Sequence, residues 1–171
     1  MKKRTISFWI ITLIAMDQII KLIIKQYYFQ KDINILGGLV YFRPVINTSY
    51  SWFNSLFDLG VGYYSHIIFN ILTIILMLVA INYIYYYNNN STLTDIITIL
   101  FISGAICSLI DKIFYGGSLD FIYLRSLFTF DIKDCYVSGG LVISFYTIYK
   151  YRDQIDNFKI KNIIVHYKKR L

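Results

Sequence analysis

The sequence predicts an all-α polytopic membrane protein with four transmembrane helices. Three observations carry this. Hydrophobic residues make up 57% of the chain and charged ones only 16%, against roughly 25% charged in an average soluble domain, so a soluble fold would be short of polar surface. Apolar runs recur at the length of about 20 residues that crosses a bilayer's hydrocarbon. The basic residues gather at the two ends, as Lys2, Lys3 and Arg4, then Lys150, Arg152, Lys159, Lys161, Lys168, Lys169 and Arg170. A net charge of +7 could also serve nucleic acid. Charge clustered beside apolar runs fits cytoplasmic membrane-protein tails better, so membrane lipids are expected as partners and nucleic acid is not.

The first span is 6–24, ISFWIITLIAMDQIIKLII. A basic start before an apolar run also fits a cleavable leader. No small-residue cleavage site follows, and the apolar pattern runs on past Asp17 and Lys21, so a retained helix is expected. Residues 25–60 are the longest stretch between spans. Within it, INILGGLVYFRPVIN sets a Gly-Gly turn signal among β-branched and aromatic residues, which predicts a small hairpin or cradle. SWFNSLFDLGVGYY predicts an amphipathic interfacial segment. The second span is 64–87, whose Tyr-rich end suits an interfacial aromatic belt. NNNSTLTD is a polar connection in which Ser91 or Thr94 can cap the next helix. The third span is 95–114 and the fourth 132–150, followed by a basic tail, 151–171. The whole chain reads as a single membrane domain. Four crossings put both termini on one side, and the basic tails assign that side to the cytoplasm. The stretch 25–60 and the region from Asp120 to Asp134 then face outward.

Several ionisable residues stand inside or beside these spans, where they are costly and mark function by default. Asp17 and Lys21 are four apart and share a helix face. They read as support for a site, as a local ion pair with Lys21 reaching the interface, or as catalytic groups themselves. In the third span, Ser103, Gly104, Cys107, Ser108 and Asp111 form one small, polar face. Close helix packing accounts for the small residues but not for Asp111, which needs a cationic partner; Lys21 or Arg43 can serve. Asp120 and Asp134 have two open readings. One is a loop charge plus an anion at a helix N-terminus. The other is a metal-free acid–base pair, in which one carboxylate activates water and its protonated neighbour polarises a carbonyl.

Other chemistries find little footing. His66 and His166 lie at opposite ends of the expected topology, and no phosphate loop or zinc motif appears. Asp120, Asp131 and Asp134 without further oxygen ligands make a poor hard-cation site, so no metal is expected. Cys107 and Cys135 fall in apolar segments and read as small buried hydrophobes rather than a disulfide.

Over about residues 6–150 these motifs resemble the lipoprotein signal peptidase (signal peptidase II) family. DQIIK, Asp17 to Lys21, matches its first-helix motif. VINTSYSWF resembles its Asn-x-Gly-Ala-Ala-Phe box, giving Asn47. SGAICSLIDK resembles its Gly-Gly-x-x-Gly-Asn-x-x-Asp-Arg box, giving Asp111 and Lys112. LDFI matches the motif of the first catalytic Asp, here Asp120, and FDIKDC resembles Phe-Asn-x-Ala-Asp-Ser, giving Asp134 as the second. The resemblance implies a four-span intramembrane aspartyl endopeptidase of the bacterial cell membrane with a small outer-face β-cradle and its active site near the outer face. It implies diacylglyceryl-modified prolipoprotein substrates cut before the lipidated Cys, inhibition by globomycin-type peptides, and no cofactor. Asp17, Lys21, Asn47, Asp111 and Lys112 would support the site. Arg43 joins them on charge and position, and Asp131 by its place beside the second Asp.

The chain also departs from the family pattern. Cys107-Ser108 stand for Gly-Asn, and Lys112 replaces Arg, keeping charge but losing the bidentate fork. Ser49, Tyr50 and Ser51 replace Gly-Ala-Ala. Asp131 replaces Asn and Lys133 replaces Ala. Two other functions are consistent with these departures: a catalytically weak relative that binds lipopeptide or inhibitor, and a small non-proteolytic membrane transporter or assembly factor.

Overall fold

The computed structural model describes residues 1–48, 62–87 and 92–150. The basic tail, the 49–61 segment with most of the expected interfacial stretch, and Ser91 lie outside the described residues. In chain order the elements are α1 (Lys3–Ile23) continued by a π-helical turn (Ile24–Tyr28), β1 (Ile33–Leu36), β2 (Val40–Asn47), α2 (Tyr63–Tyr87), α3 (Thr92–Tyr115), β3 (Ser118–Leu124), β4 (Thr129–Phe130) and α4 (Ile132–Lys150).

Among the described residues three helices are long and apolar enough to cross a membrane: Lys3–Tyr28, Tyr63–Asn82 and Thr92–Tyr115. The expectation of four spans is met for these three. α4 is 19 residues long and packs along α3. The helix over 92–115 starts earlier than expected, so Thr94 lies inside its first turn and is buried there rather than capping it.

α3 is the hub, packed against α1, α2 and α4. Its small face makes this possible, because Ser103, Gly104 and Cys107 are buried and let neighbours approach. A Cβ at Gly104 would stand 2.7 Å from Val137 Cγ2 and 3.3 Å from the Lys133 carbonyl oxygen. Val is stiff at χ1 and cannot swing aside. Gly104→Val should therefore lower stability by about 1–3 kcal/mol, read as the unfolding midpoint in detergent micelles. Adding Val137→Ala should recover part of the loss. By contrast, α2 presents Ile68, Phe69, Leu72, Ile75 and Leu76 as exposed surface, a composition suited to lipid.

The segments between the helices form one antiparallel sheet in the order β1-β2-β3-β4. The expected hairpin is present: Gly37 and Gly38, both at positive φ, turn β1 into β2, a conformation that only glycine adopts without cost. The sheet extends beyond the expected 25–60 cradle, because β3 and β4 come from the stretch between α3 and α4. β2 and β3 pair from Val40↔Leu124 to Asn47↔Ser118, with a bulge between Phe42 and Val45. Leu119 and Phe121 on one face of β3 pack on Ile24 of the π-helical turn. Strand periodicity then sends Ser118 and Asp120 to the other face. The sheet thus sits where α1 and α3 end and α4 begins.

Candidate active site

Five elements deliver the polar residues, β2 among them with Asn47. α1 contributes Asp17, Gln18 and Lys21, α3 contributes Asp111 and Lys112, and β3 contributes Ser118 and Asp120. The entry to α4 contributes Asp131, Lys133 and Asp134. Lys21 is fully buried, so it does not reach the interface. Its ammonium lies 2.9 Å from Asp17 Oδ2, 2.6 Å from Asp111 Oδ2 and 2.6 Å from Asp131 Oδ2. Lys21 is therefore the cationic partner that Asp111 required. Gln18 Nε2 donates to Asp17 Oδ2 at 3.0 Å and to Asp111 Oδ1 at 3.2 Å.

A second ammonium stands beside the first. Lys133 Nζ is 2.5 Å from Asp131 Oδ2, 3.2 Å from Asp111 Oδ2 and 3.5 Å from Asp120 Oδ1, and it donates to Ser118 Oγ at 2.5 Å. Asp120 accepts from every side. Ser118 Oγ donates to its Oδ1 at 2.7 Å and Asn47 Nδ2 to its Oδ2 at 3.2 Å. Burial pushes the Asp120 carboxyl above its ordinary value, with Lys133, Ser118 and Asn47 pulling the other way. For Asp131 burial pushes upward too, but the Lys133 and Lys21 ammoniums outweigh it and hold the carboxyl below its ordinary value.

Asp134 does two things. Its backbone N–H donates to Asp131 Oδ1 at 3.2 Å, and the Asp131 N–H donates to Asp134 Oδ2 at 3.1 Å. This is a reciprocal cap on the first turn of α4, the bland reading of Asp134 realised. Yet one carboxylate oxygen from each of Asp120, Asp131 and Asp134 lies within 4.8 Å of the others. The carboxyls of Asp120 and Asp134, 14 positions apart in sequence, are thus neighbours as well.

Two expected supports sit differently. Lys112 Nζ turns back along α3 to Ser108 Oγ at 2.7 Å, and Ser108 Oγ also accepts from Asn70 Nδ2 of α2 at 2.9 Å. Among the described residues no carboxylate pairs with it. Arg43 stands apart from the cluster. It is half-buried, donates to Asp32 Oδ2 from Nε at 2.9 Å and Nη2 at 2.6 Å, and lies over the Tyr123 ring at 4.8 Å. Cys107 is buried as expected, but Cys135 is exposed, and both thiols are free.

Sequence reasoning passed over Ser118, Gln18 and the central place of Lys133. Ser118 follows from Asp120 once 118–124 is known to be a strand, because residues two apart on a strand share a face. In the sequence Lys133 registers as a departure that partly offsets the added charge of Asp131, not as a partner of Asp111, Asp120 and Ser118 as well.

Fold and site together define a polytopic membrane protein with a buried network of carboxylates and ammoniums where its helices meet a small sheet. A family model described as signal peptidase (SPase) II, peptidase A8, matches residues 9–150. The lipoprotein signal peptidase of Caldicellulosiruptor bescii is 28% identical over 145 residues, covering 84% of this chain and 91% of that protein. That of Rickettsia bellii is 30% identical over 155 residues, covering 86% of this chain and 76% of that protein. Two solved bacterial membrane enzymes share the fold. One has a TM-score of 0.71 at 16% identity, covering 93% of this chain and 96% of the other. The second has 0.69 at 17%, covering 86% and 94%.

The chain belongs to the signal peptidase II family. It is a bacterial membrane peptidase that processes the signal peptides of prolipoproteins.

Proposed function

We propose that this chain is an intramembrane aspartyl endopeptidase that cuts diacylglyceryl-modified prolipoproteins immediately before the lipidated Cys, with Asp120 and Asp134 as its catalytic pair. The observation that carries this reading is the approach of their carboxyls at the junction of sheet and helices. Asp120 accepts from Ser118, Asn47 and Lys133, contacts that stabilise its carboxylate against the upward push of burial, and it activates the water. Among the described residues Asp134 accepts only the Asp131 N–H; it holds the proton and passes it towards the leaving amine. No metal or cofactor takes part. Asn47 orients Asp120, and Asp17, Lys21, Asp111 and Asp131 hold the surrounding charge. Lys112 braces α3 against α2 through Ser108. Arg43 clips β2 to Asp32 outside the site.

In the membrane α4 is the fourth crossing, both termini are cytoplasmic, and the sheet faces outward. The parallel course of α1 and α3, whose ends meet at Lys21 and Asp111, supports this alternation. Globomycin-type peptides would compete for the same surface.

The test is cleavage of a purified diacylglyceryl prolipoprotein by the full chain in detergent. Mass spectrometry should find a new N-terminus at the lipidated Cys, with turnover unaffected by chelators. An intact substrate, incubated with folded protein, sinks the reading.

A further inference from the structure

We propose that Lys133 is a positioning residue that assigns the proton within the Asp120–Asp134 pair, keeping Asp120 ionised at the pH where the enzyme works. This rests on the peptidase reading and adds to it a charged residue in place of the Ala of the family motif.

The geometry is asymmetric. Lys133 Nζ lies 3.5 Å from Asp120 Oδ1, and the hydroxyl it bonds at 2.5 Å, Ser118, itself donates to that same oxygen at 2.7 Å. Ammonium and hydroxyl thus reach Asp120 by a direct and a relayed path. The Lys133 ammonium also acts on Asp134 through space, but among the described residues it forms its close ion pair and its hydroxyl relay with Asp120, whereas the described bond of Asp134 is to a backbone N–H. An ammonium within about 4–6 Å lowers a carboxyl's pKa by roughly 1–3 units, and the effect is larger where water is excluded.

The surrounding charges explain why the chain needs such a group. Asp111 faces Lys133 from α3, Asp120 and Ser118 from β3, and Asp131 and Asp134 from its own element. Lys21 of α1 shares Asp111 and Asp131 with it. Lys112 of α3 is near but spends its ammonium on Ser108. Asp131 brings a buried anion next to the catalytic pair, and by itself that anion would drive a proton onto Asp120. Lys133, 2.5 Å from Asp131, cancels it. The two departures at this motif are one neutralising unit.

The test uses the full chain in detergent and follows kcat/KM for prolipoprotein cleavage against pH. Lys133→Met should move the acidic limb upward by about 1–3 pH units. Lys133→Arg, which keeps the charge, should return it towards wild type. Asp131→Asn/Lys133→Ala, which removes both charges, should also restore it. A limb that stays fixed in Lys133→Met, or one that the double variant fails to restore, overturns the inference. If Lys133→Met does not fold, the double variant is compared with Asp131→Asn alone, and coincident limbs overturn it. If the wild type cleaves nothing, the peptidase reading falls separately. Lys133 is then judged by carbon-13 NMR titration of the Asp120 carboxyl, assigned with Asp120→Asn. An upward move in Lys133→Met supports it and no move overturns it.

Discussion

Asp120→Asn and Asp134→Asn should each lower the rate of prolipoprotein cleavage by about 10²–10⁴-fold, the usual worth of a positioned acid or base. Asn copies the shape of Asp but neither takes nor gives a proton. The fold should survive both changes. Asp120 keeps its neighbours Ser118 and Asn47, and at position 134 an amide oxygen can still accept the Asp131 N–H that caps α4. The loss should therefore fall on turnover, with the unfolding midpoint close to wild type. The wild-type rate should also fall on the acid side as Asp120 takes up its proton. Burial has raised that carboxyl, so the fall comes at a higher pH than an ordinary aspartate would impose. Retained turnover in either variant removes that residue from the pair. If only Asp120 proves essential, Asp134 is a helix cap and nothing more.

The second large effect is structural. Lys21→Met should cost about 3–5 kcal/mol of stability, the price of leaving buried charge without its partner. The Lys21 ammonium holds Asp17, Asp111 and Asp131 within 2.9 Å or less, and none of these side chains is exposed. Lys133 covers Asp111 and Asp131 in part, at 3.2 and 2.5 Å. Asp17 has no other ammonium among the described residues. Asp17→Asn should consequently cost much less in the Lys21→Met background than in wild type, a coupling that a double-mutant cycle measures. Lys21→Arg should not restore the wild-type midpoint, because a planar fork cannot meet three carboxylates converging on one compact charge. Equal stability of Lys21→Met and wild type would show the network to be decorative.

Hydropathy and length made the helices legible to within a few residues. The Gly37–Gly38 turn was equally readable, since turn chemistry is local. β3 was not read as a strand. Its pairing with β2 joins residues such as Val45 and Asp120, and a contact that distant in sequence leaves no local periodicity. Arg43 shows the same limit from the other side. Its charge invited a place in the site, but it falls in the bulge between Phe42 and Val45 and emerges beside Asp32 on the exposed surface. Asp17, Lys21 and Asp111 were conspicuous because charge inside an apolar run is costly. Lys133 was inconspicuous because it stands at a helix entry, where a lysine is unremarkable until the chain folds around it.

The two cysteines differ in one respect that turns into a tool. Cys107 is sealed inside the bundle, whereas Cys135 is exposed and follows Asp134 directly. An impermeant maleimide added to intact cells or to inverted vesicles has a single accessible thiol among the described residues, one position from the proposed catalytic carboxyl. The native chain therefore carries its own topological label. With Asp134 in the proposed pair, the side of the membrane from which that thiol alkylates is the side on which signal peptides should be cut.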